Sequence, residues 1–224
     1  MPHTTRAPVL LTGFEPFAGE PRNPSAEAVA LLTETDILGH TIVSLCLPTA
    51  FGLASKILLR AVERLAPAVV IASGVAAGRS EIAIERFALN FIDARIADNR
   101  GQQPRERPVV PGAALAFPST LPVTRVVTRL REAGIPAAAS NSAGSFVCNQ
   151  VFYSLCHALA GTNTRVGFVH VPHASEHVVD RVGVPSLPLI TIAEALRLTA
   201  EVTLRALPRP RGKGLGGSSA ARPL

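Results

Sequence analysis

Short apolar runs alternate with amphipathic stretches along most of this chain. Residues 9–12, 41–47 and 68–72 are short and largely apolar, which is typical of strands buried in a parallel sheet. Between the second and third runs, apolar residues recur at the helical spacing i, i+3, i+4 and i+7. These residues are Ala54, Ile57, Leu58, Ala61, Val62 and Leu65. The pattern predicts a strand, a helix and a strand in succession.

The alternation continues through the second half of the chain. Three stretches with helical spacing are residues 122–133, 145–159 and 190–207. Two further apolar runs, residues 136–140 and 165–171, predict strands. Strands that alternate with helices of this length predict an α/β protein, a three-layer α/β/α sandwich with a largely parallel, mixed central sheet. We expect one domain over residues 1–207.

Local signals place the remaining boundaries. Asn23 precedes Pro24 as a capping residue precedes a proline at the first helical position, so we expect a helix from there to about Thr33. Residues 82–96 alternate enough to form a strand or a hairpin. Residues 98–101 predict a turn that follows this segment.

The composition changes after Leu207. Residues 208–224 are rich in proline, glycine, serine and arginine, so we expect a disordered basic tail. Four of the six excess positive charges of the chain lie here, on Arg209, Arg211, Lys213 and Arg222. The rest of the chain is only mildly basic and has no arginine stripe interleaved with aromatic residues, so we expect no nucleic-acid partner.

Cysteine usage and hydropathy indicate the compartment. Cys46, Cys148 and Cys156 are too few for a disulfide framework, and an odd count leaves at least one thiol unpaired, which suits a reducing cytosol. Residues 1–7 contain no extended apolar segment of the kind found in signal peptides. No run approaches the roughly 20 apolar residues of a membrane span. We therefore expect a soluble cytoplasmic protein without a membrane partner.

Cys148 is the centre of the candidate chemistry. It follows a small-residue turn at the start of a predicted helix, where unpaired N–H groups and the helix dipole favour the thiolate. His170 stands at the end of an apolar run, as the base of a thiol hydrolase would. Alternatively, Cys148 is an inert core thiol, since it continues an apolar helical face, and His170 is a core histidine bonded to a carbonyl.

Four segments carry a resemblance to a known family. They are TGFEPFAG (12–19) followed by NPS (23–25), GRSEI (78–82) with ERFALN (85–90) and then DARI (93–96), SAGSFVCNQ (142–150), and FVHVP (168–172). In this order and spacing they resemble the pyroglutamyl peptidases of type I, which are cytosolic cysteine peptidases that remove an N-terminal pyroglutamate. The resemblance runs from about Val9 to about Leu207. It implies a peptide substrate, no cofactor and a homo-oligomer, commonly a tetramer.

The resemblance also implies a Cys/His/Glu mechanism. Cys148 corresponds to the nucleophile, His170 to the base and Glu85 to the carboxylate that orients the imidazole. Glu81 is a second carboxylate close by, but it precedes the Glu-Arg pair of the motif. Arg95 corresponds to the family arginine beside the site and is the first candidate to support the oxyanion. The backbone N–H of Cys148 and the side chain of Arg79 are further candidates.

The same resemblance implies a pocket for the neutral lactam ring. Phe14 and Phe17 correspond to the phenylalanines that hold the ring, and Phe146 and Val147 would close the pocket. Asn23 either orients the preceding loop or caps its helix. Val75 stands where the family usually has glutamine.

Two alternatives remain open at this stage. The change at Val75 is compatible with a catalytically altered member that binds a ligand. A metal-dependent hydrolase would use His170, His173 and His177, whose spacing fits one helical face, with Cys148 or Glu176. Pro172 lies between the first two histidines and disfavours a shared helix, so we expect no metal. Nucleotide-binding glycine motifs are absent, and we expect no cofactor.

Overall fold

A seven-stranded sheet runs through the middle of the molecule in the computed structural model, which describes residues 6–208. The strands along the chain are β1 (Val9–Phe14), β2 (Asp36–Ile37), β3 (His40–Leu47), β4 (Val69–Val75), β5 (Ile82–Glu85), β6 (Phe87–Leu89), β7 (Ala116–Pro118), β8 (Ala137–Ser140), β9 (Arg165–Val171), β10 (His173–Ala174) and β11 (Ser186–Leu187). The sheet has the order β2-β3-β1-β4-β9-β5-β8, while β6 pairs with β7 and β10 pairs with β11. Its four central pairings are parallel except β5 with β9, which is antiparallel.

Helices cover both faces of this sheet. They are α1 (Pro24–Ala30), α2 (Leu53–Leu65), α3 (Val123–Glu132), α4 (Val147–Ala158) and α5 (Leu189–Arg205). One apolar core joins α1, α3 and α5 to one face, and a second joins α2 and α4 to the other. This confirms the predicted three-layer α/β/α architecture with a largely parallel sheet. Within residues 6–208, no helix combines the length and apolar character that crossing a membrane requires.

Most of the predicted elements are present, with small shifts at their ends. The strand predicted at 165–171 has the predicted bounds, whereas α1 ends at Ala30 instead of Thr33. The segment 82–96 does not fold back on itself as a hairpin: β5 enters the large sheet, and β6 pairs with β7 about thirty positions later. The tail predicted at 208–224 lies outside the described residues apart from Pro208.

The topology brings several strand ends to one edge of the sheet. Parallel strands β1, β4 and β9 end side by side at Phe14, Val75 and Val171. In the antiparallel pair of β5 and β9, Ala83 lies opposite His170. Glu85 is two residues after Ala83, so its side chain is on the same face of the sheet as those of Ala83 and His170. Ligand sites of open α/β sheets lie beyond the carboxyl ends of the parallel strands.

Candidate active site

His170 and Glu85 form a buried hydrogen-bonded pair between β9 and β5. The Nδ1 atom of His170 lies 2.8 Å from Oε1 of Glu85, and the two residues are only 6% and 0% exposed. The second carboxylate oxygen, Oε2, has no hydrogen-bond partner within residues 6–208. A buried carboxylate with so few partners interacts strongly with the imidazole, because no water competes for it. The pair fixes the ring and leaves Nε2 for another group.

Cys148 is the second residue of α4 and is half-buried. Phe146 occupies the N-cap position and has no side-chain acceptor, so no side chain caps the first N–H groups of this helix. These groups are therefore available to a negative charge at the helix start. Gly74 of β4 lies beside the thiol, since a Cβ atom added to it would stand 2.8 Å from Sγ of Cys148.

The electrostatics of the site favour a charged imidazole. Burial disfavours the charge of His170, but its interactions with Cys148 and with the Glu85 carboxylate outweigh burial and raise its pKa from 6.5 to about 9. At neutral pH the ring is consequently protonated. A protonated imidazole next to a thiol stabilises the thiolate, which is the nucleophilic form of cysteine.

Cys148 and His170 line a cavity of about 340 Å³. All six residues expected to bind substrate line it as well: Phe14, Phe17, Asn23, Val75, Phe146 and Val147. The ring of Phe146 packs between Phe17 and Phe51, with a centroid separation of 5.1 Å in each case. The wall of the cavity is therefore largely apolar and aromatic, and it includes Cys148 and His170.

Asn23 has both of the functions considered for it. Its Oδ1 accepts a hydrogen bond from the backbone N–H of Ser25 at 3.0 Å, which caps α1. Its Nδ2 donates to the backbone oxygen of Glu15 at 3.0 Å, which holds the loop after β1. That loop carries Phe17 into the cavity.

The sequence did not indicate every residue of the cavity wall. The additional residues are Thr49, Ala76, Ser142, Ala143 and Gly144. Thr49 follows the carboxyl end of β3 at the same edge of the sheet, so the strand-end rule could have found it. Gly74 lies inside β4 but beyond the apolar run at 68–72, and the sequence carries no sign that it lies beside Cys148.

Arg95 lies outside the cavity that Cys148 lines. It is exposed and lines a neighbouring cavity instead. Arg79 is the arginine that lines the Cys148 cavity, and its Nη2 donates to Oγ of Ser140 at 3.4 Å. Arg95, the first candidate for oxyanion support, thus lies further from Cys148's cavity than Arg79, the weakest of the three candidates.

The three histidines of the metal hypothesis lie on different elements. His170 is in β9, His173 in β10, and His177 in a single 3₁₀ turn, Ser175–His177. Nε2 of His177 lies 3.0 Å from Oε2 of Glu27, a residue of α1. Among residues 6–208, no three His, Cys, Asp or Glu side chains are grouped closely enough to hold a metal ion.

A cysteine, a histidine and a carboxylate that meet at one cavity of an α/β sheet define the class of cysteine-dependent hydrolases. Within that class, the chain belongs to the pyroglutamyl peptidase family, whose family model matches residues 7–206. This confirms the family indicated by the four sequence segments, and with it the expectation of a cysteine peptidase.

Individual relatives extend over nearly the whole chain. Pyrrolidone-carboxylate peptidase 1 of Ralstonia nicotianae is 49% identical over 199 residues, covering 88% of this chain and 93% of that protein. The fold is similar to that of a mutant pyrrolidone carboxyl peptidase from Pyrococcus furiosus, with a TM-score of 0.86, 41% identity, and 89% and 99% of the two chains covered. Pyroglutamyl peptidase I of Bacillus amyloliquefaciens gives a TM-score of 0.85 at 39% identity, with 89% and 97% covered.

Proposed function

We propose that this protein is a cysteine peptidase that hydrolyses the amide bond after an N-terminal pyroglutamyl residue. The observation that carries the proposal is the position of Cys148 beside the His170–Glu85 pair in a chain of the pyroglutamyl peptidase family. The relatives named above support the same activity, since they are pyrrolidone-carboxylate peptidases.

The chemistry of the cavity suits a pyroglutamyl ring. This ring is a neutral lactam with no ammonium group and no free carboxylate, so it needs apolar walls and a few amide partners. Phe14, Phe17 and Phe146 supply aromatic surface, and Val75 and Val147 supply aliphatic surface. A charged N-terminal residue would lose its hydration at such a wall without gaining a partner.

The proposed reaction has two halves. The Cys148 thiolate attacks the scissile carbonyl carbon, and the oxyanion that forms accepts hydrogen bonds from free N–H groups at the start of α4. Protonated His170 then gives its proton to the leaving amine, and the C–N bond breaks to leave a thioester on Cys148. Neutral His170 next takes a proton from water, which hydrolyses the thioester and releases pyroglutamate. Glu85 holds the ring and stabilises its charged form throughout.

Release of a fluorescent amine from a pyroglutamyl amide tests this proposal. We expect Cys148→Ala to abolish turnover and to leave the thermal unfolding curve nearly unchanged, since the change removes a single, half-buried sulfur atom. Cys156→Ala is the matched control, because Cys156 lies on the same helix but is buried in the core, where burial raises the pKa of its thiol to about 12. Turnover that survives in Cys148→Ala, or that a chelator removes, would contradict the proposal.

We also propose that the protein is cytoplasmic and that it forms a homo-oligomer. Cys46, Cys148 and Cys156 are all free, which suits a reducing compartment. Val179, Val182 and Ile190 are large apolar side chains that are strongly exposed, as interface residues are in an isolated protomer. Light scattering after size exclusion tests the tetramer that the family resemblance implies, and a monomeric mass would contradict it.

A further inference from the structure

A second cavity, of about 380 Å³, lies against the cavity of Cys148. Phe17, Asn23 and Val75 line both cavities, so the two share a wall at the ends of β1 and β4. A peptide whose first residue occupies the Cys148 cavity therefore has an adjoining space for the part that leaves.

The backbone of Arg95 is fixed next to the nucleophile's helix. Nε2 of Gln103 donates to the backbone oxygens of Ala94 and Arg95, at 3.2 and 3.0 Å. Asp93 and Ser145 exchange hydrogen bonds: the N–H of Asp93 donates to the oxygen of Ser145 at 3.0 Å, and Oγ of Ser145 donates to the oxygen of Asp93 at 2.9 Å. Because Ser145 immediately precedes the N-cap of α4, these contacts hold residues 93–95 close to the reactive helix end.

The other charged residues of this second cavity are already paired. Glu20 accepts two hydrogen bonds from Arg181, at 2.6 and 2.8 Å. Arg22 donates two to Glu27, at 2.7 and 2.6 Å. The guanidinium of Arg95, in contrast, has no ion pair or hydrogen bond within residues 6–208.

His173 adds no charge of its own at neutral pH. Burial and the nearby Arg181 lower its pKa below the ordinary value of 6.5, so the ring is neutral. Paired charges largely cancel, and the second cavity is left with the single positive charge of Arg95. An unpaired cation that lines a site, on a backbone fixed beside it, attracts an anionic ligand group.

We propose that the second cavity receives the residue that follows pyroglutamate and that Arg95 gives the enzyme a preference for a carboxylate there. This inference rests on the proposed function. The carboxylate has two possible sources: an aspartate or glutamate side chain at that residue, or the free terminus of a pyroglutamyl dipeptide. Arg95 then determines specificity for the leaving portion, and support of the oxyanion falls to the N–H groups of α4 and to Arg79.

Two pairs of substrates distinguish the sources. Pyroglutamyl-glutamate amide and pyroglutamyl-glutamine amide have the same shape and differ in side-chain charge. Pyroglutamyl-glutamine with a free terminus and its amide differ only in terminal charge. We expect kcat/KM to favour the carboxylate by about two- to five-fold in at least one pair, the range of exposed ion pairs. High salt should reduce the preference.

Arg95→Gln should bring the ratio of kcat/KM for the acid to that for the amide to about one, whereas Arg64→Gln, an equal charge change at an exposed position of α2, should preserve it. A ratio of one in the native enzyme, or an unchanged ratio in Arg95→Gln, would overturn the inference. So would an Arg95→Gln variant that loses kcat/KM equally on acid and amide, because that result indicates a role at the reacting carbonyl. Failure of the native enzyme on a neutral pyroglutamyl amide would instead overturn the proposed function, and the inference with it.

Discussion

At the scale of single residues, the site depends on one missing side chain as much as on three present ones. Gly74 lies directly beside Cys148, and the position where its Cβ would lie is 2.8 Å from the sulfur and 3.2 Å from Cζ of Phe168. Real Cβ atoms are not found so close to a neighbouring sulfur. The orientation of the thiol therefore depends partly on the absence of a Cβ atom at Gly74 of β4.

Gly74→Ala should accordingly displace the thiol and lower kcat/KM by about a hundred-fold, because a shift of about 1 Å at a reacting atom has an effect of that size. The strand itself should persist, since alanine is compatible with an extended backbone. Steady-state kinetics, with the rate of Cys148 alkylation as a second readout, provide the measurement. Wild-type kinetics in a variant of normal melting temperature would show that the thiol is not constrained by Gly74.

The proton on His170 predicts the pH dependence. Its pKa is about 9, so the protonated ring that donates to the leaving amine is lost as pH rises through that value, and kcat/KM should fall on this alkaline limb.

The contribution of His170 to the free energy of unfolding should also fall as pH rises. The folded ring binds its proton more tightly than the unfolded chain, so its contribution is full below about pH 6.5 and disappears as pH rises through about 9.

The Glu85→Gln variant tests how much the carboxylate contributes to the raised pKa of His170. Without the carboxylate, burial still lowers the pKa of His170 and one of the two interactions that raise it is gone, so the alkaline limb should move to lower pH. The pH profile of kcat/KM for the two proteins is the measurement. An alkaline limb at the same pH in both would mean that another group titrates there.

At the scale of elements, the nucleophile's helix is fastened by the residue next to Cys148. Oδ1 of Asn149 accepts from the N–H of Leu89, and Nδ2 donates to the backbone oxygens of Leu89 and Phe91, each at 2.9 Å. Asn149 is fully buried, so these three bonds join α4 to β6 and to the segment that follows it without competition from water.

Asn149→Ala should lower the free energy of unfolding by about 3 kcal/mol, since it leaves buried backbone groups without partners. Gln150→Ala is the control on the neighbouring position, because Gln150 makes a single such bond, to the N–H of Gly52 at 3.0 Å. Urea unfolding of both variants gives the comparison. Equal losses would show that the three bonds to Asn149 are no stronger together than one.

The elements also show what the sequence could and could not predict. The predicted bounds of the strand at 165–171 agree with the structure because an apolar run follows polar residues there and Pro172 ends it. The start of α4 was placed two residues early, since its N-cap is Phe146 and carries no capping signal. The short strand β2 was missed, as two residues are too few for a pattern.

For the candidate site, the residues that local motifs indicate were predicted, whereas features that depend on contacts between distant segments were not. The sequence indicated Cys148, His170, Glu85 and the six cavity residues through motifs, which record local order along the chain. Arg95 was expected beside the oxyanion, but its distance from the cavity depends on how the loop at 93–105 packs, and no local pattern specifies that packing. Gly74 likewise becomes informative only when the neighbouring helix is in place.

At the scale of the whole molecule, the catalytic pair joins two parts of the chain that are 85 residues apart. Strand β9 lies between β4 and β5, so the pair exists only when the centre of the sheet is complete. Activity and far-UV circular dichroism should therefore be lost at the same urea concentration. An activity midpoint well below the spectroscopic one would reveal local opening of the site before the sheet unfolds.

The position of β9 between β4 and β5 has a consequence for synthesis on the ribosome. This interior strand of the sheet, between β4 and β5, is the last of the seven to be made, and until it arrives β4 and β5 expose unpaired backbone edges. A nascent chain already contains Cys148, but without His170 that thiol has no proton partner. The nascent chain is therefore inactive as a peptidase and prone to aggregation until nearly all of residues 1–207 have emerged from the ribosome.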